Sequence, residues 1–190
     1  MAFATLFRFQ VELSDLNRSL FCSLDFRVAQ HPSENFEYLL TRVLAYLLSY
    51  QEGLIFSPEG LSNPDEAALK LVDANGSYLE WIEIGNPSYR KLHRASKTSK
   101  SVKVFTYKNP ELLLEDLRGE KIHQAKEIEI FSVEPKFLQW IAPTLLRNNQ
   151  WSFVIQEDLL TLEITHQLEN AAGAMSKQIA FSKLKRHPIL

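Results

Sequence analysis

The segment Tyr78-Leu79-Glu80-Trp81-Ile82-Glu83-Ile84-Gly85-Asn86-Pro87 decides how the chain is read. Its first seven residues alternate as a strand, yet apolar side chains fall on both faces, which marks a central strand covered on each side. Glu83 shares a face with Leu79 and Trp81, close to the strand's C-terminal end. Asn86 and Pro87 supply a cap and a first helical position, and predict a helix to about Ser99.

Working toward the C-terminus, Val102–Tyr107 reads as a strand, Pro110–Leu117 as a helix, Ile128–Val133 as a strand and Pro135–Leu146 as a helix. Trp151–Ile155 and Leu160–Ile164 flank Gln156-Glu157-Asp158 as a hairpin. From Ala171 the pattern fades, and residues 171–190 read as a loosely ordered extension. Toward the N-terminus, Asp73-Ala74-Asn75-Gly76 is a turn, with short strands at Leu69–Val72 and Leu54-Ile55-Phe56. Phe36, Leu39, Leu40, Val43, Leu44, Leu47 and Leu48 recur at helical spacing, so this helix has a core face and ends near Gly53. Pro32-Ser33-Glu34 opens it: Ser33 can cap, and Glu34 and Glu37 suit the positive end of the helix dipole. Before it, Phe7, Phe9, Val11 and Leu13 alternate with polar residues, as do Leu20, Cys22, Leu24, Phe26 and Val28. These make an antiparallel hairpin about Ser14–Arg18. The order predicts an α/β (α+β) protein: a mixed β-sheet with helices on both faces and the Phe36–Leu48 helix buried along one side.

At 190 residues the chain suits one domain spanning 1–190. Its net charge of −2 gives no global field toward nucleic acid or an anionic membrane, so such binding must come from local segregation. The lone Cys22 has no internal disulfide partner and reads as a buried small hydrophobe. The first nine residues lack the pattern of a signal peptide, and no stretch approaches the ~20 apolar residues of a membrane span. Asn17-Arg18-Ser19 and Asn75-Gly76-Ser77 read as turns. A reducing cytoplasm is the expected home, with no membrane partner.

Phosphate-cradling glycine loops and the nucleophile elbow are absent, and one cysteine with scattered histidines does not suit structural zinc. Among acids, Glu34 opens a helix, Asp65 and Glu66 precede a strand, and Glu83 sits where partial desolvation demands a partner. Mg²⁺ or Mn²⁺ is one such partner, since hard cations take carboxylate oxygens. The helix after Glu83 gathers cations: Arg90, Lys91, Arg94, Lys97 and Lys100, with Lys103 beyond, are six Lys/Arg in Arg90–Lys103 without an acid. Such a cluster suits phosphate contacts through Arg90, Arg94 and Lys97, with Tyr89 and Trp81 placed to stack a base. An ordinary solvated helix face is the plain alternative.

Ala29-Gln30-His31-Pro32-Ser33-Glu34, the helix through Arg42-Val43-Leu44-Ala45-Tyr46-Leu47, and Leu54-Ile55-Phe56 resemble the YaeQ family. So do Asp65-Glu66, Trp81-Ile82-Glu83-Ile84-Gly85-Asn86-Pro87, Arg90-Lys91-Leu92 and Val104-Phe105-Thr106-Tyr107. The resemblance runs from about Phe3 to Ile164. It implies a variant of the PD-(D/E)XK restriction-endonuclease-like fold, a core carrying N- and C-terminal β-hairpins and gathering acidic metal ligands. On that reading Glu34 is the helix acid, Asp65 or Glu66 the first-strand acid and Glu83 the second-strand acid, with Glu83, Asp65 and Glu66 on the metal. The chain departs from the pattern at Gly85, where a lysine is expected, so Arg90 or Lys91 must supply the charge. Ala67 and Lys70 stand where the pattern has proline and tryptophan. Two functions follow: a Mg²⁺-dependent phosphodiesterase on nucleic acid, or a non-catalytic module that binds nucleic acid or protein through the basic helix. Convergence of Glu34, Glu83 and one of Asp65 or Glu66 on one cleft favours the first. An ion pair tying Glu83 to Arg90 or Lys91 favours the second.

Overall fold

A computed structural model describes residues 4–58, 63, 65–167 and 175–189. In chain order, β1 (Thr5–Asp15) and β2 (Leu20–Gln30) lead to α1 (Phe36–Leu48), then β3 (Ile55–Phe56), β4 (Leu69–Val72) and β5 (Tyr78–Ile84). Next come α2 (Tyr89–Thr98), β6 (Ser99–Thr106), α3 (Pro110–Leu117), β7 (Glu129–Ser132) and α4 (Pro135–Ile141). The chain continues through β8 (Asn148–Gln156), β9 (Leu159–Gln167), β10 (Met175–Lys183) and β11 (Lys185–His187).

The strands form two mixed sheets, not one. The first runs β10-β9-β8-β1-β2 and the second β11-β7-β6-β5-β4-β3. The two expected hairpins merge because β1 and β8 pair in parallel, with Val11 opposite Trp151. Period-2 alternation marks each strand but carries no information about so distant a partner. The first hairpin turns where Asp15 Oδ1 accepts from the backbone of Asn17 (3.0 Å) and Arg18 (3.2 Å).

In the second sheet β5, β6 and β7 are parallel, joined by α2 and α3 as crossovers. β5 lies between β4 and β6, as its two apolar faces require. Ile82 and Ile84 pack with Ala45 of α1 and Phe105, whereas Trp81 packs with Leu92 and Ala95 of α2. The other side of α1 packs into the first sheet: Leu40, Val43, Leu44 and Leu47 cluster with Phe9, Val11, Leu13, Phe153 and Leu138. α1 is therefore core to both sheets, and even Thr41 and Arg42 are buried.

The described part of the expected loose tail, 175–189, is a structural seam, and 171–174 and 190 lie outside the described residues. β10 pairs with β9 and β11 pairs with β7, so residues 175–187 stitch one sheet to the other. Leu184, between the two strands, packs against both cores. Its inward positions on β10 include Ser176, Ala180 and Ser182, too small and polar to give a hydropathy signal. The helix starts also differ from expectation. Asn35, not Ser33, caps α1 by accepting from Tyr38 N (2.8 Å), and Ser88, not Asn86, caps α2. α4 ends at Ile141 and passes into a 3-10 turn at Ala142–Thr144. Cys22 is half-buried against the core, and partial burial pushes its thiol pKa up. Among the described residues no helix is long and apolar enough to cross a membrane.

Candidate functional site

β5 ends at Ile84, and the chain must then turn sharply to start α2. Gly85 makes that turn at φ +82° while its N–H donates to Phe105 O (2.8 Å). A left-handed φ is strained for any side chain, which accounts for glycine where a lysine is expected. Asn86 ties the turn down, accepting from Thr106 Oγ1 (2.6 Å) and donating to Asn109 O (3.3 Å). A cavity of about 370 Å³ opens there, lined among others by Glu34, Tyr38, Glu83, Lys91, Tyr107 and Lys108. It lies at the carboxyl end of a parallel strand, where open α/β sheets place their ligands.

The structure brings Glu34, Glu83 and Lys91 together in this cavity. Glu83 comes from β5 and Lys91 from the first turn of α2. Lys91 Nζ lies 2.9 Å from Glu83 Oε2, and Trp81 Nε1 donates to Glu83 Oε1 at 2.6 Å. Both oxygens of this acid are thus held by protein donors. Even so, burial outweighs the Lys91 charge and raises the Glu83 pKa above the ordinary carboxylate value. Trp81 is 2% exposed and engaged with Glu83, so it does not stack a base.

Glu34 sits just before α1, as the approach to a helix dipole suggests, but its partner is Arg42 two turns on. Glu34 Oε2 accepts from His31 N (3.0 Å) and Arg42 Nη2 (3.0 Å), and the same Nη2 reaches Ala29 O (2.7 Å). Glu34 Oε1 is buried as well and lies 3.0 Å from Arg42 Nη2, an ion pair without hydrogen-bond geometry. Burial is the largest influence on Glu34 and raises its pKa, and it lowers that of Arg42. The sequence held a clue to Arg42: a cation amid Leu39, Leu40, Val43 and Leu44 needs a buried acid. Tyr38, Tyr107 and Lys108 had no such signal; burial raises both phenol pKa values.

Asp65 and Glu66 do not join. Asp65 pairs with Arg94 (2.5 Å) at the surface, Glu66 pairs with Lys70, and neither lines the cavity. Among the described residues no group of three His, Cys, Asp or Glu side chains is placed to hold a metal. The expected ligand set of Glu83, Asp65 and Glu66 is not assembled, and the residues present do not fit a Mg²⁺ or Mn²⁺ centre of that kind.

The basic helix is also less free than its sequence suggests. Lys91 and Arg94 are paired as above, and Lys103 pairs with buried Glu80 (2.5 Å), an acid the sequence reading passed over. Arg90, Lys97 and Lys100 remain exposed without an acidic partner among the described residues. Arg90 donates to Tyr89 Oη (3.2 Å) and lies 5.8 Å from that ring's centroid.

Comparison with known proteins places this geometry. Uncharacterised YaeQ proteins of Escherichia coli K12 and Salmonella typhi are 35% and 34% identical over 104 residues, 55% of this chain and 57% of each relative. The match thus spans a little over half the length of those relatives. The crystal structure of a Xanthomonas axonopodis pv. citri YaeQ protein superposes with TM-score 0.83 at 22% identity, covering 97% of this chain and 98% of that one. A Pseudomonas syringae YaeQ structure gives 0.78 at 25%, covering 96% and 95%. The family model described as YaeQ protein matches residues 1–171, from β1 through both pocket acids to the end of β9, and the chain belongs to the YaeQ family.

Proposed function

We propose that this chain is a non-catalytic binding module that keeps a restriction-endonuclease-like frame and takes a nucleic-acid phosphate backbone along α2. The observation that carries this reading is the engagement of both Glu83 oxygens by Trp81 and Lys91. The strand acid is committed within the protein, and the other expected strand acids lie outside the cavity. Arg90, Arg94 and Lys97 follow one another at helical spacing on the exposed side of α2, the arrangement that tracks a line of phosphates. Arg90 and Lys97 carry most of that charge, because Arg94 is shared with Asp65.

Fluorescence anisotropy with labelled single- and double-stranded DNA and RNA tests this. Binding should weaken steeply with salt, with a log–log slope of about −2 to −3 for some three phosphate contacts. Arg90→Glu with Lys97→Glu should abolish it. Salt-independent binding, or none, would transfer the reading to a protein partner.

A second reading, a Mg²⁺- or Mn²⁺-dependent phosphodiesterase, is favoured by one observation: Glu34 and Glu83 line one cavity together with Lys91. Glu34 and Glu83 would then be the carboxylates available to the ion, with Lys91 facing the phosphate. Metal-dependent cleavage of a labelled oligonucleotide, lost in both Glu34→Gln and Glu83→Gln, would establish it.

A further inference from the structure

The cavity at the end of β5 holds more positive charge than its acids use. Its lining carries two carboxylates, Glu34 and Glu83, and two ammonium groups, Lys91 and Lys108. Lys91 is paired with Glu83, while Glu34 draws on Arg42, which does not line the cavity. Lys108 is exposed and has no acidic partner among the described residues, so one positive charge is in surplus. Its side chain lies over the turn after β5. A Cβ built on Gly85 would stand 3.7 Å from Tyr107 Cε1 and 4.0 Å from Lys108 Cε, and Lys108 Nζ is 5.8 Å from the Tyr107 ring centroid.

These donors are open to a ligand. The Lys91 side chain is 23% exposed and keeps ammonium protons beyond the one turned to Glu83. Tyr38 and Tyr107 are half-buried in the same lining, and burial raises both pKa values, so each stays a protonated phenol able to donate. Two ammonium groups and two phenols outnumber the two free oxygens of an internal phosphodiester. They suit the three oxygens of a terminal phosphate, whose extra charge also meets the Lys108 surplus. The approach is one-sided. Lys97 lies about 10 Å of helix rise beyond Arg90, and no lysine or arginine besides Lys91 and Lys108 lines the cavity. A strand that follows α2 toward its N-terminus therefore meets its last cations there.

We propose that this cavity binds the terminal phosphate monoester of a nucleic-acid strand, held by Lys108 and Lys91 with the Tyr38 and Tyr107 hydroxyls, while the phosphates that follow lie along α2. The site rests on the reading of α2 as a backbone track, and adds to it a preference for phosphorylated ends.

Fluorescence anisotropy of the full chain with short, internally labelled DNA strands tests it. The strands carry a 5′-phosphate, a 3′-phosphate, hydroxyls at both ends, or no ends because they are circular. One of the phosphorylated strands should bind about tenfold tighter than the hydroxyl-ended and circular ones, the value of a charge-assisted hydrogen bond or two. Lys108→Ala, at an exposed position, should bring that strand to the affinity of the hydroxyl-ended one, and Tyr107→Phe should lower the preference part of the way. Equal affinity for phosphorylated, hydroxyl-ended and circular strands, with steep salt dependence intact, would overturn the end site and leave the α2 track standing. No binding of any strand would remove both. A preference that survives Lys108→Ala, or binding of thymidine monophosphate without any strand, would also overturn the end site.

Discussion

The side chains of Glu34 and Glu83 are 0% and 4% exposed, each beside one cation, whereas Asp65 is 72% exposed against an Arg94 that is itself 53% exposed. In sequence all three are acids at the edge of an element. In the fold they belong to different regimes. A surface pair gains about 0–1 kcal/mol and is screened by salt. A buried pair has given up hydration on both sides, so losing one partner strands a charge and costs about 3–5 kcal/mol. The number of ion pairs therefore says little about which acids matter; their depth says more.

The comparison breaks most visibly at Arg42. Arg42→Met should cost about 3–5 kcal/mol in urea melts at neutral pH, because Glu34 keeps its burial and loses its counter-charge. A loss under 1 kcal/mol would show that Glu34 is hydrated or already protonated. Leu44→Ala, on the same helix and fully buried between the sheets, should cost about 2–5 kcal/mol by leaving a cavity. A loss under half a kcal/mol would make α1 peripheral.

Glu83→Gln sharpens the contrast through pH. The folded carboxyl has a raised pKa, so between its unfolded and folded values the native state binds more protons than the unfolded state. Stability from this group is therefore full below about pH 4.5 and is lost as pH rises through the folded pKa. Glu83→Gln keeps an acceptor for Trp81 and cannot ionise. Relative to it, the wild type should lose stability between about pH 4.5 and neutrality, and a pH-independent difference in urea melts would refute the burial account. The smallest effect belongs to the surface: Arg94→Ala should cost no more than about 1 kcal/mol, and less at high salt.

Much of the frame was legible because its signals are local. β5 announced a two-sided environment through Trp81 and Ile82 on opposite faces, and α1 showed its core face through leucines three and four apart. What escaped was long-range or cooperative. Nothing near Val11 names Trp151 as a neighbour, and small residues on β10 hid the strand that closes the first sheet. The caps went to Asn35 and Ser88 because several adjacent polar residues were chemically suitable, and only backbone geometry chooses among them. Of the expected site residues, Glu34, Glu83 and Lys91 line one cavity, and an acid near a buried strand end and a cation in the first turn of the next helix are readable together. The acid-free run Arg90–Lys103 misled for a spatial reason: Asp65, Glu80 and Glu83 reach it from other segments and neutralise half of its cations.

The central claim is that Glu83 is committed to Trp81 and Lys91 and is closed to a metal. Thermal denaturation of wild type and Glu83→Gln, each titrated with MnCl₂ at constant ionic strength, tests it most directly. The account predicts the same midpoint with and without the ion in both proteins, while a saturable rise in the wild type that Glu83→Gln removes would contradict it.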